Sequence, residues 1–368
     1  MNSTPSRLLT RLDAEIAAQR DPLRADCLRA ERAAYLVRQG HADEAKAELG
    51  ALHQRHDGRP NVEMSAWMNL VESLLSFFSD MGPVALDKMR RARALSEAAG
   101  LTQLHALSAA WLAHLDYGRH DFVAMAFHVT QALRLAATDH HAARSRASLV
   151  IAQGLHLAGH PKLAAPWYKR ARDHAVADGD EVTTSALMHN MAWLRMHALR
   201  QARMTGGGEA AGPGFALMEM DSIVQYDQLI GTTSLESLKP ILRAQILALN
   251  GQASEALVLF DEHISNQPGG MARLHCTWQA DRAWCLLELG RAEEARHAAA
   301  QAQASFVAET QVDDRAATHS RLAQVFGALG DADIAKHHQR VADGAWSEYA
   351  EMQQKLHELL GPLSDAEV

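Results

Sequence analysis

Five stretches of the chain repeat the same residues around a glycine, and this repeat restricts the fold more than any other feature. "RQGHADEA", "LAGHPKLA", "LNGQASEA", "ELGRAEEA" and "ALGDADIA" centre on Gly40, Gly159, Gly251, Gly290 and Gly330. Five residues after each glycine stands alanine: Ala45, Ala164, Ala256, Ala295 and Ala335. Seven before it stands alanine again: Ala33, Ala152, Ala244, Ala283 and Ala323. Four before it is always a large apolar residue: Leu36, Leu155, Leu247, Leu286 or Phe326. Such a glycine ends a helix, because without a Cβ it takes the left-handed conformation at no steric cost. The alanine columns then mark where two antiparallel helices cross most closely, with the large residue filling the layer beside them.

The rest of the chain fits helices joined by such turns. Hydrophobic residues make up 48% but aromatic ones only 5%, so alanine carries much of the apolar share. Alanine favours helix and lets helix axes approach. Only ten prolines occur, and almost no stretch alternates β-branched apolar residues with polar ones, so strands are not expected. Gly251 to Gly290 spans 39 residues, Gly290 to Gly330 spans 40, and Gly40 to Gly118 spans 78, or two units. Gly159 to Gly251 spans 92, which is two units and twelve residues more. "TGGGEAAGPG", residues 205–214, absorbs most of that excess as an enlarged turn. It has no lysine followed by Ser or Thr and follows no strand, so it does not read as a phosphate-cradling loop.

The pattern resembles the tetratricopeptide repeat, a helix–turn–helix stacked into a superhelix. The usual period there is about 34 residues, so the longer spacing predicts helices nearly a turn longer. That is similar to the repeats of bacterial signalling regulators, such as the sensor region of the maltose-operon activator and the peptide-sensing Rap-type regulators. The resemblance implies an all-α protein, a right-handed α-α superhelix of about eight TPR-like hairpins with terminal helices. The expected organisation is a single solenoid over 1–368. It comprises an N-terminal helix in 1–21, repeats over 22–345 with the insertion at 205–214, and a capping helix and tail over 346–368. Helix pairs are expected near 22–58, 61–99, 101–138, 141–179, 181–231, 233–268, 270–309 and 311–345.

Several function classes lose support. Net charge is −8 with both signs interspersed, and the densest basic run, Lys88 to Arg93, reads as the solvated face of an amphipathic helix. No nucleic-acid partner is expected. No segment approaches 18 consecutive apolar residues, and the N-terminus lacks a leader-like apolar core. The expectation is no membrane partner and a cytoplasmic, reduced setting. Cys276 and Cys285, nine residues apart, point to opposite sides of a helix and cannot share a metal. Of the 21 histidines, His189 and His197 stand two helical turns apart, and His156 and His160 are separated by a helix-ending glycine. No paired-cysteine or HExxH motif accompanies them, so no metal or cofactor is expected. No nucleophile–base pair is evident either, so no catalytic residue is assigned.

What remains is a binding surface. The resemblance implies that first helices of successive pairs line a concave groove. In the fifth pair Leu187, Met191, Leu194 and Ala198 form one apolar seam, leaving His189, Trp193, Met196 and His197 roughly opposite. An Ala-Trp step recurs at Trp111, Trp193 and Trp284, with Trp67 a fourth. The matching positions in other repeats are Gln153 and Gln245. Two readings of the tryptophans stand side by side: wedges between neighbouring helices, or anchors facing the groove. The candidate groove residues are Gln153, His156, His189, Asn190, Trp193, His197, Gln245 and Trp284. The lysine and asparagine columns of the family's carboxylate clamp do not recur, repeat one offering Ala34 and Arg38 and repeat four Gln153 and Leu157. The expected role is a non-catalytic adaptor or regulator with a protein or peptide partner. A sensor of a small molecule or signalling peptide is the alternative, and an enzyme with a site between helices the third.

Overall fold

The computed structural model describes residues 6–206 and 213–364. Among the described residues there are seventeen α-helices, two short 3-10 turns and no strand. Helix α1 (Arg7–Ala18) precedes eight consecutive pairs. These are α2 (Pro22–Gln39) with α3 (Ala42–His56), α4 (Val62–Asp80) with α5 (Val84–Ala98), α6 (Thr102–Gly118) with α7 (Phe122–Leu135), and α8 (His141–Leu157) with α9 (Pro161–Asp178). The series continues with α10 (Glu181–Thr205) and α11 (Pro213–Ile230), α12 (Leu238–Leu249) and α13 (Ala253–His263), α14 (His275–Glu288) and α15 (Ala292–Ala304), and α16 (Val312–Ala328) and α17 (Ala332–Ser364).

The repeat columns do what their chemistry requires. Gly40, Gly159, Gly251, Gly290 and Gly330 all have positive φ, between 75° and 96°. The alanines seven before them are buried, as are the large residues four before. Of the alanines five after, Ala335 alone is half-buried, since no further pair follows it. Two turns lack a glycine yet adopt the same geometry: Met81 has φ 55° and His120 has φ 57°. Gly118, which the spacing argument used as a marker, is instead the last residue of α6. His120 completes the series 40, 81, 120 and 159 with steps of 41, 39 and 39. Repeat two carries Leu74 and Leu86 in the alanine columns, and repeat three Ala113 and Met125, all buried. A larger residue closes those crossings, which is why the glycine–alanine signature fades there.

Two further departures follow from local sequence. The expected break near residue 345 does not occur, and α17 runs unbroken for 33 residues. Gly344 sits inside it, while Ala345 and Tyr349 are buried and Trp346 Nε1 donates to Ser320 Oγ at 2.9 Å. Packing therefore overrides the weak helix propensity of one glycine. The glycine-rich turn expected at 205–214 falls mostly outside the described residues, between the end of α10 and the start of α11.

The chain divides into two compact units, residues 1–190, 223–234 and 356–368 in one and 191–222 and 235–355 in the other. In unit 1 the first pair is fastened to the fifth. Arg38 Nη2 donates to Asp180 Oδ2 at 2.6 Å, and Arg7 Nε donates to Glu181 Oε1 at 2.9 Å. Gln39 O accepts from Thr233 N at 3.0 Å and Thr232 Oγ1 at 3.1 Å. Leu8, Leu12, Leu28, Tyr35 and Val182 form the apolar cluster under these bonds. The end of α17 also belongs here: Leu356 and Leu360 are fully buried, close enough to Gly154 that a Cβ there would meet Leu360 Cδ1 at 2.6 Å. Unit 2 packs α12 to α16 and most of α17 around alanine crossings, with Trp278 and Phe260 its largest fully buried side chains.

Candidate functional site

The eight sequence-predicted groove residues divide between the units. Gln153, His156, His189 and Asn190 belong to unit 1, and Trp193, His197, Gln245 and Trp284 to unit 2.

In unit 1, Gln153 is 4% exposed and its Oε1 is buried without a hydrogen-bond partner. His156 turns toward the second helix of its own pair, with Nδ1 3.2 Å from Tyr168 Oη. His189 does the same, its Nε2 2.8 Å from Asp227 Oδ2 on α11, while Ser185 Oγ donates to Asp227 Oδ1 at 2.5 Å. Serine, aspartate and histidine thus meet, but in the wrong order for acyl transfer. A serine nucleophile needs the imidazole as its base, whereas here Ser185 and His189 both bond to the carboxylate. Asn190, one residue on, is half-buried.

Unit 2 gathers its four residues around two buried ion-pair networks. Gln245 Nε2 donates to Asp281 Oδ2 at 3.4 Å, and Arg321 Nε donates to Asp281 Oδ1 at 3.2 Å. The Arg321 guanidinium lies over the Trp284 ring at 4.9 Å. These residues stand on α12, α14 and α16, the first helices of successive pairs. In the second network the Trp193 ring lies tilted against His197 at 4.6 Å between centroids, and His197 Nδ1 is 3.3 Å from Asp313 Oδ2. Arg200 Nη2 reaches Asp314 Oδ1 at 3.1 Å, and Arg273 Nη1 lies 3.7 Å from Asp314 Oδ2. Trp193 and Trp284 are both half-buried, each with one neighbour fixed by a carboxylate, whereas Trp67 and Trp111 are buried.

The chemistry open to these groups is limited. His197, Asp313 and Asp314 bring ligand-type atoms within 4.8 Å of one another. Arg200 and Arg273 already supply the positive charge that the carboxylates need, so the charge balance describes an ion-pair network rather than a cation cage. The cysteines are buried and free, with Cys27 and Cys285 pushed up to about 12 by burial and Cys276 raised by the same cause. Thiols held protonated in this way are poor nucleophiles.

No protein-family model matches the chain, and no curated protein matches it in sequence. Among solved structures, it is similar to a Rap protein complexed with competence and sporulation factor. The TM-score is 0.56 at 12% identity, over 92% of this chain and 100% of that one. The fold is a TPR-like helical-repeat superhelix. At that identity the likeness concerns architecture, and function has to be argued from the residues.

The repeat columns point to the tryptophans and glutamines of the first helices but not to the charges between them. Asp281 and Arg321 each stand nine residues before their repeat's glycine, a column that also holds Glu31 in repeat one. Comparing that column across repeats exposes the pair. Arg200, Asp313 and Asp314 carry no such signal, because an acidic pair at the start of a helix also serves the helix dipole.

Proposed function

We propose that this protein is a non-catalytic regulator or adaptor that holds a protein or peptide partner on its first-helix faces, with Trp193 and Trp284 as anchors. The observation that carries the reading is the state of these two rings. Each stays half-exposed while its neighbour, His197 or Arg321, is fixed by a buried carboxylate. A partly exposed aromatic on a rigid, pre-ordered support loses little entropy on binding, and such residues dominate interface energetics. The complex of the similarly folded Rap protein with competence and sporulation factor supports a partner of this kind. The three buried free cysteines support a reducing, cytoplasmic setting, and no helix among the described residues is long and apolar enough to cross a membrane.

The test is Trp193→Ala and Trp284→Ala, measured for affinity toward a partner identified by co-purification and for unfolding midpoint. Anchors lose about 2 kcal/mol or more of binding with little loss of stability. Wedges lose roughly 3–5 kcal/mol of stability at unchanged intrinsic affinity, and that result rejects the reading.

A further inference from the structure

Unit 1 contains a guanidinium that forms no ion pair among the described residues. Arg146, in the second turn of α8, is 6% exposed, and its Cζ lies 3.9 Å from the centre of the Trp111 ring on α6. Among the described residues no carboxylate or carbonyl accepts a hydrogen bond from it. A second guanidinium, that of Arg38 on α2, lies 5.8 Å from the same ring. Its Nη2 bonds to Asp180 Oδ2 and Thr183 Oγ1, both at 2.6 Å, but its Nε is buried without an acceptor. His114, one turn along α6 from Trp111, has a buried Nδ1 that also lacks a partner.

The balance of charge around this ring is unequal. Asp180 is the acid felt by both arginines, and it is already committed to Arg38, to Thr183 N at 2.9 Å and to Thr183 Oγ1 at 2.8 Å. Burial, then Arg146 and Arg38, lowers the His114 pKa to about 3, so the imidazole is neutral and adds no charge of its own. The Trp111 face attracts a cation but carries no net charge. Lysine or histidine would respond to such a setting by losing a proton, whereas arginine keeps its charge in proteins. Among the described residues, one carboxylate, Asp180, thus faces two guanidinium groups around this ring.

We infer that Arg146, Arg38 and His114 form an oxyanion site around Trp111 in unit 1, for a carboxylate or phosphoryl group borne by a ligand. The three residues stand around one ring, with Arg146 Cζ 3.9 Å, Arg38 Cζ 5.8 Å and the His114 ring 5.6 Å from the centre of Trp111, and they bring two fixed positive charges and a neutral imidazole. A planar fork of N–H donors suits either oxyanion. None of these residues belongs to the proposed partner anchors, and the inference stands apart from that reading.

The test compares the parent chain with Arg146→Met, which keeps bulk and apolar contact with Trp111 while removing the charge. Unfolding midpoints are measured in chloride, acetate and phosphate at equal ionic strength. Excluded salts stabilise both proteins alike, so only the difference between the two reports the site. At saturation the parent gains about 2–4 °C more than the variant, and the variant in chloride is at least as stable as the parent. A gain in acetate alone assigns a carboxylate, in phosphate alone a phosphoryl group, and in both an unselective oxyanion site. Should Arg146→Met not fold, Arg146→Gln takes its place, and Trp emission titrated against Trp111→Phe reports binding directly. Equal responses in parent and variant overturn the inference. Glu209, Asp365 and Glu367 lie outside the described residues, so the same assay is run on Glu209→Gln and on a chain ending at Ser364. A response confined to either of these assigns the counter-charge to the protein's own Glu209 or tail, which also overturns an external ligand.

Discussion

Replacing Asp314 by asparagine isolates the most deeply buried ion pair among the first helices of unit 2. Asp314 and Arg200 have side chains only 2% and 3% exposed, and they approach to 3.1 Å. At an effective dielectric of 20, two unit charges at that distance attract by about 5 kcal/mol. Burial opposes the Arg200 charge, yet Asp314, Asp281 and Asp313 together hold its guanidinium above its ordinary value. Asparagine keeps the shape and one acceptor but leaves the buried guanidinium short of a counter-charge. Breaking such a pair from one side costs about 3–5 kcal/mol. Asp281 and Asp313 remain nearby and move the expectation to the lower end, about 3 kcal/mol by the same rule. For a unit of this size that lowers the midpoint by roughly 6–12 °C. The assay is urea unfolding of parent, Asp314→Asn, Arg200→Met and the double variant. The double variant should be more stable than the two single losses summed, by about 1–3 kcal/mol of coupling, because it removes both charges. Additive losses, or an Asp314→Asn loss below about 1 kcal/mol, would refute the argument that this pair is buried and mutually dependent.

Two further outcomes test the turn geometry and the histidine cluster. Gly40 and Gly290 are both left-handed, at φ 96° and 75°, but a Cβ on Gly40 would crowd Thr233 Oγ1 and lie 2.7 Å from Ser234 N, while one on Gly290 meets nothing within 4 Å. Gly290→Ala should then cost about 1–2 kcal/mol from backbone strain alone, and Gly40→Ala more by about 1–3 kcal/mol; equal denaturant midpoints would count against the close approach of the first and fifth pairs. His319 Nδ1 lies 2.7 Å from His338 Nδ1, and burial, then His338, His337 and Arg315, lowers its pKa to about 4. The folded chain keeps this ring neutral while the unfolded chain protonates it near pH 6.5, so stability falls as pH drops from about 6.5 toward 4. Midpoints of parent and His319→Gln measured across that window should diverge in slope, with the variant flatter.

The fold was legible where local chemistry alone decides it. A helix-ending glycine and two alanine columns state where a pair turns and where its helices touch, because both depend on the volume of one residue at a fixed spacing. Five of the eight pairs follow from that rule. Met81 and His120 escaped it because they make the same left-handed turn without a glycine to mark it. The unbroken α17 escaped for a related reason, since buried Ala345 and Tyr349 hold a helix through Gly344. The candidate site was half legible. Its aromatic and amide residues recur in register, so the repeat pattern reveals them. The charges that fix them are only partly legible, because an ion pair needs its partner on another helix: Asp281 and Arg321 share a repeat column, whereas Arg200, Asp313 and Asp314 share none. Asp281 finds Arg321 forty residues away, Arg200 finds Asp314 at 114, and Arg146 meets Trp111 while finding no acid among the described residues. Repetition in sequence specifies the crossing of neighbours, whereas only the assembled structure determines which buried charge is answered.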